Sequence, residues 1–537
     1  MRQLFHGGRV FTSDPDLPWA EAVVVDADMI VFVGDEAQAI AIAGSDADSI
    51  DVAGGVVMPG FVDAHAHLLM TGASLVKAQL RDASTVDEIG RRLLAWREAN
   101  PDQSRVLGVS WLFNAVPDGL PTRKMLDAFI DDRPVYLEAN DLHSSWVNTR
   151  ALEELGITAD TPDPIGGEIV RDAEGAATGL LLENASYFMV WPLLANVDDA
   201  THDRHLAAAM RAYAETGVTT AVDMALDHAG LDTMLRADDA GALTLRLHAH
   251  WLIRRHDDPA QELAQVAEAV ELAAIHRRDH FRINGIKVVV DGTIDGCTAA
   301  LIEPYSNGLN AEPIWPFDHL APVVTAADAA GLQVALHAIG DQAVRTAIDA
   351  IAMASSTNGT DGRRHRIEHL EYVDEADVPR LAPLGITASM QPVHINPSTL
   401  ANWEQVLGES RASRGFAWPE FVDAGTTLAF GTDTPTAPHE PLHNMYIAAT
   451  RKSPTEPHLH PHRPDFALPL ADAVRHGTGD AAWASFAEGR VGMLRAGLAA
   501  DLIVLDIDPF AAEPESLLQA RVLRTVCNGR TVHHIER

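Results

Sequence analysis

From about residue 210 onward the chain alternates short apolar runs with Ala-rich amphipathic stretches, and that alternation constrains its fold class more than any other feature. The runs read GVTTAVDM, LTLRLHAHWLI, FRINGIKVVVDG, GLQVALHAIGD, RRHRIEHLEYV, GITASMQPV and TTLAFGTDTP, and most are followed by helical sequence such as QAVRTAIDAIAMA. Strand–helix alternation repeated this often builds parallel βαβ units and favours a barrel or a doubly wound sheet. None of the helices opens on GxGxxG or GxxxxGK[ST], which weakens a nucleotide-binding sheet. The expected fold is α/β, a (β/α)8 TIM barrel over residues 58–76 and 210–487.

The two ends have another texture. QLFHGGRVFT, EAVVVDADMIVFVGD and SIDVAGGVVMPG at the start, with AADLIVLDID and RVLRTVCNGRTVHHI at the finish, set Val, Ile and Phe between Gly and Asp turns. That is the texture of antiparallel strands, so residues 1–57 and 488–537 are expected to form one small β-sandwich. Between 77 and 209 the pattern loosens, through PDGLPTRKML and TPDPIGGEIVRDAEGAATG. This stretch is expected to be an insertion subdomain at the barrel mouth.

Charge narrows the partners. Forty basic against 76 acidic residues give a formal net charge of −36, which argues against nucleic acid and anionic membranes as broad electrostatic partners. A small-molecule substrate is expected, with a homodimer as the assembly. No apolar run approaches the ~18 residues of a membrane span. Two cysteines, Cys297 and Cys527, cannot make a disulfide framework, so a cytoplasmic location is expected.

The strongest local signal is PGFVDAHAHL at 59–68. His65 and His67 lie two apart on a strand-like run, so both imidazoles share one face and can meet one metal ion. Zn²⁺ suits such a nitrogen pair, and Asp63 can support it. An HxH pair alone is weak evidence, because His248 and His250 form a second one in LRLHAHWL. Only the first follows a Pro-Gly entry to a barrel strand; the second reads as strand packing and hydrogen bonding.

Further candidates fall on or at the ends of later strands, where a barrel collects catalytic groups. Lys287 lies inside the apolar run NGIKVVVDG, a costly place for an ammonium. The chain has only four lysines, Lys77, Lys124, Lys287 and Lys452, so each asks why arginine did not serve. His337 ends QVALHAIGD, His369 ends HRIEHL, and Asp433 ends LAFGTDTP. Any one of these alone reads as a core or cap residue; six in chain order on five strands do not.

The order HxH, strand Lys, His, His, Asp resembles the amidohydrolase superfamily. It is most similar to amidohydrolase family 3, the YtcJ-like or N-substituted formamide deformylase-like branch. The likeness spans essentially the whole chain, through DLHSSWVN, GVTTAVD, KVVVDG, LHAIGDQAV, RIEH, SMQPVH, FGTDTP and VGMLRAGLAADLIVLD. It implies two divalent metal ions, with Zn expected, joined by a CO2-derived carbamate on Lys287 and by a hydroxide. By the same likeness His65, His67 and Asp433 hold one metal, and His337 and His369 hold the other. Asp433 is the expected catalytic proton carrier, with His143 and His394 as substrate-binding residues. The loop DGTIDGCTAAL departs from the Gly-Ser-Arg type stretch of the family, at Asp295 and Cys297.

The leading functional expectation is a hydrolase of a non-peptide carbon–nitrogen bond in an amide, formamide, carbamate or cyclic amide. An ester or lactone hydrolase on the same site is the alternative, and a non-catalytic regulatory homologue is the third reading. The tract EPHLHPHRP, with His458, His460 and His462, is expected to be a solvated loop.

Overall fold

The computed structural model describes residues 2–140, 144–164 and 167–536. Eight parallel strands form one sheet in chain order: β1 Phe61–Ala66, β2 Val218–Leu226, β3 Arg246–Leu252, β4 Phe281–Val289, β5 Gln333–Ala338, β6 Arg366–His369, β7 Thr387–Met390 and β8 Leu428–Phe430. β1, β6, β7 and β8 are buried at every position, as expected of parallel strands covered on both sides. The helices between them bury one stripe each. Asp341–Asn358, for example, turns Val344, Ala347, Ile348, Ile351 and Ala354 inward, at helical spacing. The chain is a TIM barrel with an attached β-rich domain.

The sheet curls until β8 reaches β1. Just beyond the strand ends, Asp433 N donates to His65 O at 2.7 Å and His67 N donates to Thr434 O at 3.1 Å. Asp63 on β1 clamps the same seam, accepting from Thr432 N at 2.9 Å, Thr432 Oγ1 at 2.6 Å and Tyr213 OH at 2.9 Å. Gly431 permits the approach, since a Cβ there would lie 2.4 Å from His65 N.

Strands from both ends of the chain build the β-rich domain. Arg2–His6, Ala22–Asp26, Met29–Gly34 and Asp48–Asp51 make a four-stranded sheet. In a six-stranded sheet, Val56–Pro59 pairs with Leu502–Leu505, joining N-terminal to C-terminal strands. Phe5, Val23 and Val25 of the first sheet share one core with Val57, Leu502, Val504 and Val526 of the second. Arg246, at the start of β3, meets Asp501 at 3.0 Å with both side chains buried.

Residues 68–209 form a separate compact unit. Its six-stranded sheet includes Val106–Trp111, Val135–Ala139 and Ser144–Val147, over a core containing Leu93, Trp111, Leu137 and Trp146. No described helix of the chain is long and apolar enough to cross a membrane.

The barrel seam yields a direct test. Gly431→Ala should push the β8 exit away from β1 and cost on the order of 1–3 kcal/mol, the usual range for overpacking. Urea unfolding measures the loss. Hydrogen exchange at the Asp433 amide should accelerate with it, whereas an unchanged exchange rate would mean the seam does not need the close approach.

Candidate active site

The C-terminal ends of five strands bring their polar residues together. His65 and His67 come from β1 and its exit, Lys287 from β4, His337 from β5, His369 from β6 and Asp433 from the β8 exit. The His65 ring lies 5.5 Å from that of His67 and 4.9 Å from that of His369, which is 4.4 Å from His337. Asp433 Oδ1 stands 3.0 Å from His67 Nε2 and 3.3 Å from His65 Nε2. One ligand-type atom each of His65, His369 and Asp433 falls within 4.8 Å of the others.

Backbone strain marks two of these positions. His369 has φ 78° and Asp433 has φ 56°, left-handed values that non-glycine residues hold only where surroundings enforce them. At His369 the turn has a clear use. Strand alternation sends residues 368 and 369 to opposite faces, yet both Glu368 and His369 reach the His65 ring.

Three of the histidines are pinned through Nδ1, which leaves Nε2 for the site, whereas His337 donates from Nε2 to Gly292 O at 3.3 Å. His65 Nδ1 donates to Glu368 Oε2 at 2.6 Å, His369 Nδ1 to Gln391 Oε1 at 2.8 Å, and His394 Nδ1 to Glu371 Oε1 at 2.9 Å. His65 Nε2 is buried with no hydrogen-bond partner among the described residues. His394 Nε2 stands 3.5 Å from Asp433 Oδ2 and 3.4 Å from Thr436 Oγ1.

The electrostatics sort the groups by charge state. Burial and the nearby Lys287 push the His337 pKa down to about 3. Burial and His337 keep His369 well below the ordinary range, so both rings stay neutral and keep a lone pair. Burial opposes protonation of His394, but the hydrogen bond and charge of Glu371, aided by Asp433, outweigh it and raise its pKa. Burial also resists ionisation of Asp433, yet the His65 ring close beside it and the hydrogen bond from His67 hold it well below the usual carboxylate range. Burial lowers the Lys287 pKa to about 8, against the attraction of Glu368 and Asp433.

Sequence reasoning missed three carboxylates here. Glu368 accepts from Arg366 Nε at 2.6 Å inside the barrel, while Arg366 Nη2 also reaches Ala64 O and Ser389 Oγ. Glu371 holds His394. Asp291 accepts backbone N–H groups from Ala300, Ile339 and Gly340, beside His337. Their signal was present in RIEHLE and VVDG, but nothing local distinguishes them from ordinary polar residues. The second HxH pair stays structural: His250 Nε2 meets Gln333 Oε1 at 3.0 Å, and His248 packs beside Arg282. His143 lies outside the described residues.

Glu368 gives a pH-dependent prediction. Burial disfavours its charge, but Arg366 and His65 hold its folded pKa well below the ordinary 4.5. A depressed carboxylate contributes stability that is fully present above its unfolded pKa and lost as pH falls through the folded one. Glu368→Gln, which leaves Arg366 buried without its counter-charge, should cost about 3–5 kcal/mol at pH 7. Urea titrations should show the gap to wild type narrowing only below about pH 4.5. A gap constant down to strong acid would mean that charge is not what Glu368 contributes.

A model of the amidohydrolase family matches residues 48–533. The chain is 30% identical to the YtcJ amidohydrolase of Bacillus subtilis (strain 168), covering 99% of each protein. It is 27% identical to N-substituted formamide deformylase of Arthrobacter pascens, over 97% of this chain and 96% of that one. Among solved structures, an uncharacterized metal-dependent hydrolase from Pyrococcus furiosus superposes with TM-score 0.76 and 26% identity. That superposition covers 95% of this chain and 100% of the other. The strand-end histidines, the buried lysine and the family match over nearly the whole barrel agree, and this chain belongs to the amidohydrolase family of hydrolases.

Proposed function

We propose that this chain is a metal-dependent hydrolase of a non-peptide carbon–nitrogen bond in an amide, formamide, carbamate or cyclic amide. The observation that carries the reading is His65: one ring nitrogen is held by a buried carboxylate, and the other is buried and unpartnered beside His369 and Asp433. A metal-ligating histidine commonly gives its second nitrogen to a carboxylate in this way, so the donor set fits a divalent cation. His65, His67 and Asp433 would hold one ion, and His337 and His369 the other, with Zn²⁺ suited to so many imidazoles. Bound divalent metal supplies Lewis-acid polarisation of a carbonyl and acidifies water towards neutral pH.

Lys287 would join the two ions as its carbamate. A buried amine with a pKa near 8 keeps a useful neutral fraction at physiological pH, and only the neutral amine adds CO2. The remaining chemistry belongs to the chain's own side chains. Asp433 presents Oδ1 to His65 and His67 and Oδ2 towards His394. It can therefore accept a proton from the attacking water and return it to the departing nitrogen. His394, kept cationic more readily by Glu371, is placed to donate a hydrogen bond to the substrate oxygen. The deformylase activity named for the Arthrobacter relative supports the same bond class.

Metal analysis combined with a panel of formamides, amides, cyclic amides and esters tests this reading. Turnover of C–N substrates by metal-loaded enzyme is the expected result; activity confined to esters or lactones would replace the bond assignment, and inactivity of fully metallated protein would refute hydrolysis. Asp433→Asn should retain much of its metal while turnover falls by on the order of 10²–10⁴, the share typical of general acid–base catalysis. Lys287→Ala should lose metal and activity, with small carboxylic acids partly restoring both. Wild type grown with ¹³C-bicarbonate should show a carbamate carbon by NMR that the variant lacks.

A further inference from the structure

At the opposite end of the barrel from the candidate active site lies a cavity of about 200 Å³. It is lined by Arg246, Arg278, Arg282 and Arg490, with His248 and a single carboxylate, Asp279. Arg246 and Arg282 stand at the N-terminal ends of β3 and β4, and His248 pairs with Arg282 across the two strands. In TIM barrels this end serves stability rather than chemistry. Four guanidinium groups around a hollow, in a chain of net charge −36, therefore call for a physical reason.

Counting counter-charges isolates one arginine. Arg246 has Asp501 at 3.0 Å, Arg278 has Asp238 at 3.0 Å, and Arg490 has Asp279 at 3.3 Å. Arg282 is held by two backbone carbonyls, Ser485 O at 2.7 Å and Phe486 O at 3.0 Å, and by no carboxylate among the described residues. Glu488, the nearby carboxylate that acts on it, is engaged by Arg364 at 2.7 Å. Nε of Arg282 and Nε of Arg490 are both buried with no hydrogen-bond partner among the described residues. Buried donors on charged groups are ordinarily paired, and an exception points to a missing water or ion. Burial and the surrounding arginines Arg490, Arg277 and Arg246 lower the Arg282 pKa, as expected of a cation in a positive field.

We propose that this cavity is a binding site for a small organic monocarboxylate. One uncompensated guanidinium calls for one negative charge, and a planar carboxylate matches the guanidinium fork. Phe486 and Val491 add an apolar wall, which suits a carbon tail better than inorganic phosphate. A hollow of about 200 Å³ accommodates a small aromatic or aliphatic acid such as a substituted benzoate. His248, kept neutral by burial and by Arg282, contributes hydrogen bonding without a competing charge.

The test is ¹⁹F NMR of 4-fluorobenzoate with the full-length, metal-loaded protein at constant ionic strength. Wild type should broaden the signal saturably. Arg282→Gln should weaken binding about tenfold or more, the worth of a charged hydrogen bond. Gly489→Leu should do the same by adding bulk at the cavity lining, where a Cβ would meet no neighbouring atom. Hydrolytic turnover should be unchanged in both variants, since neither residue lies at the candidate active site. If Arg282→Gln does not fold because it releases the 485–486 carbonyls, Gly489→Leu decides alone. Absence of saturable broadening by wild type, equal binding by the variants, or binding of phosphate but not fluorobenzoate would each overturn the proposal. The readout is binding rather than turnover, so it stands or falls independently of the proposed hydrolysis.

Discussion

A carboxylate sealed inside a parallel barrel is the constraint around which the site is arranged. Glu368 has no access to water, so its charge must be met by protein groups or it will protonate. Arg366 meets both oxygens, Nε at Oε1 and Nη2 at Oε2, and His65 Nδ1 also donates to Oε2. That last contact fixes the His65 tautomer and turns its Nε2 towards His369 and Asp433. Arg366 in turn ties Glu368 to β1 and β7 through Ala64 O and Ser389 Oγ. One buried ion pair thus sets the internal register of three strands and the orientation of a candidate ligand.

Closure of the barrel supplies the other half of the site. His67 and Asp433 are 366 residues apart in the chain, yet their side chains touch. They meet because β8 lies against β1, clamped by Asp63 through Thr432 and Tyr213. With His65 N as a fourth donor at 3.3 Å, every acceptor lone pair on this buried carboxylate is used, which makes the clamp rigid. Strained φ values at His369 and Asp433 persist on that rigidity. Packing, seam geometry and site geometry are consequently one problem, and a change in any of them reaches the others.

Much of this was legible in the sequence for a specific reason. Strand ends carrying His, Lys or Asp are unusual against apolar runs, so His65, His67, Lys287, His337, His369 and Asp433 stood out as a set where none would alone, and the barrel collects them at one end. What could not be read is what pairs with what. Glu368 and Glu371 flank His369 in RIEHLE and look like ordinary charged neighbours, but their partners are His65 and His394, supplied by other strands or strand exits. The left-handed turn that lets residues 368 and 369 face one ring leaves no trace in composition. His65 and His250 each have one ring nitrogen held and the other buried without a hydrogen bond; what separates them is that His65 stands with His369 and Asp433 in a set of ligand-type atoms that His250 does not join among the described residues.

The two ends of the barrel divide the electrostatic labour. At the N-terminal end, Arg246 is matched by Asp501 and Arg364 by Glu488, fastening the strands to the segments that cover them, while Arg282 has backbone carbonyls alone. At the C-terminal end, the imidazoles of His337 and His369 pack together with their pKa values driven down by burial, and Asp433 is held ionised beside them. Such a cluster is poor at stabilising a fold by itself, since packed unprotonated histidines leave lone pairs unused. Its free energy is recovered only when a cation takes those lone pairs. A barrel mouth that leaves ligand nitrogens such as His65 Nε2 open is arranged to be completed by what it binds.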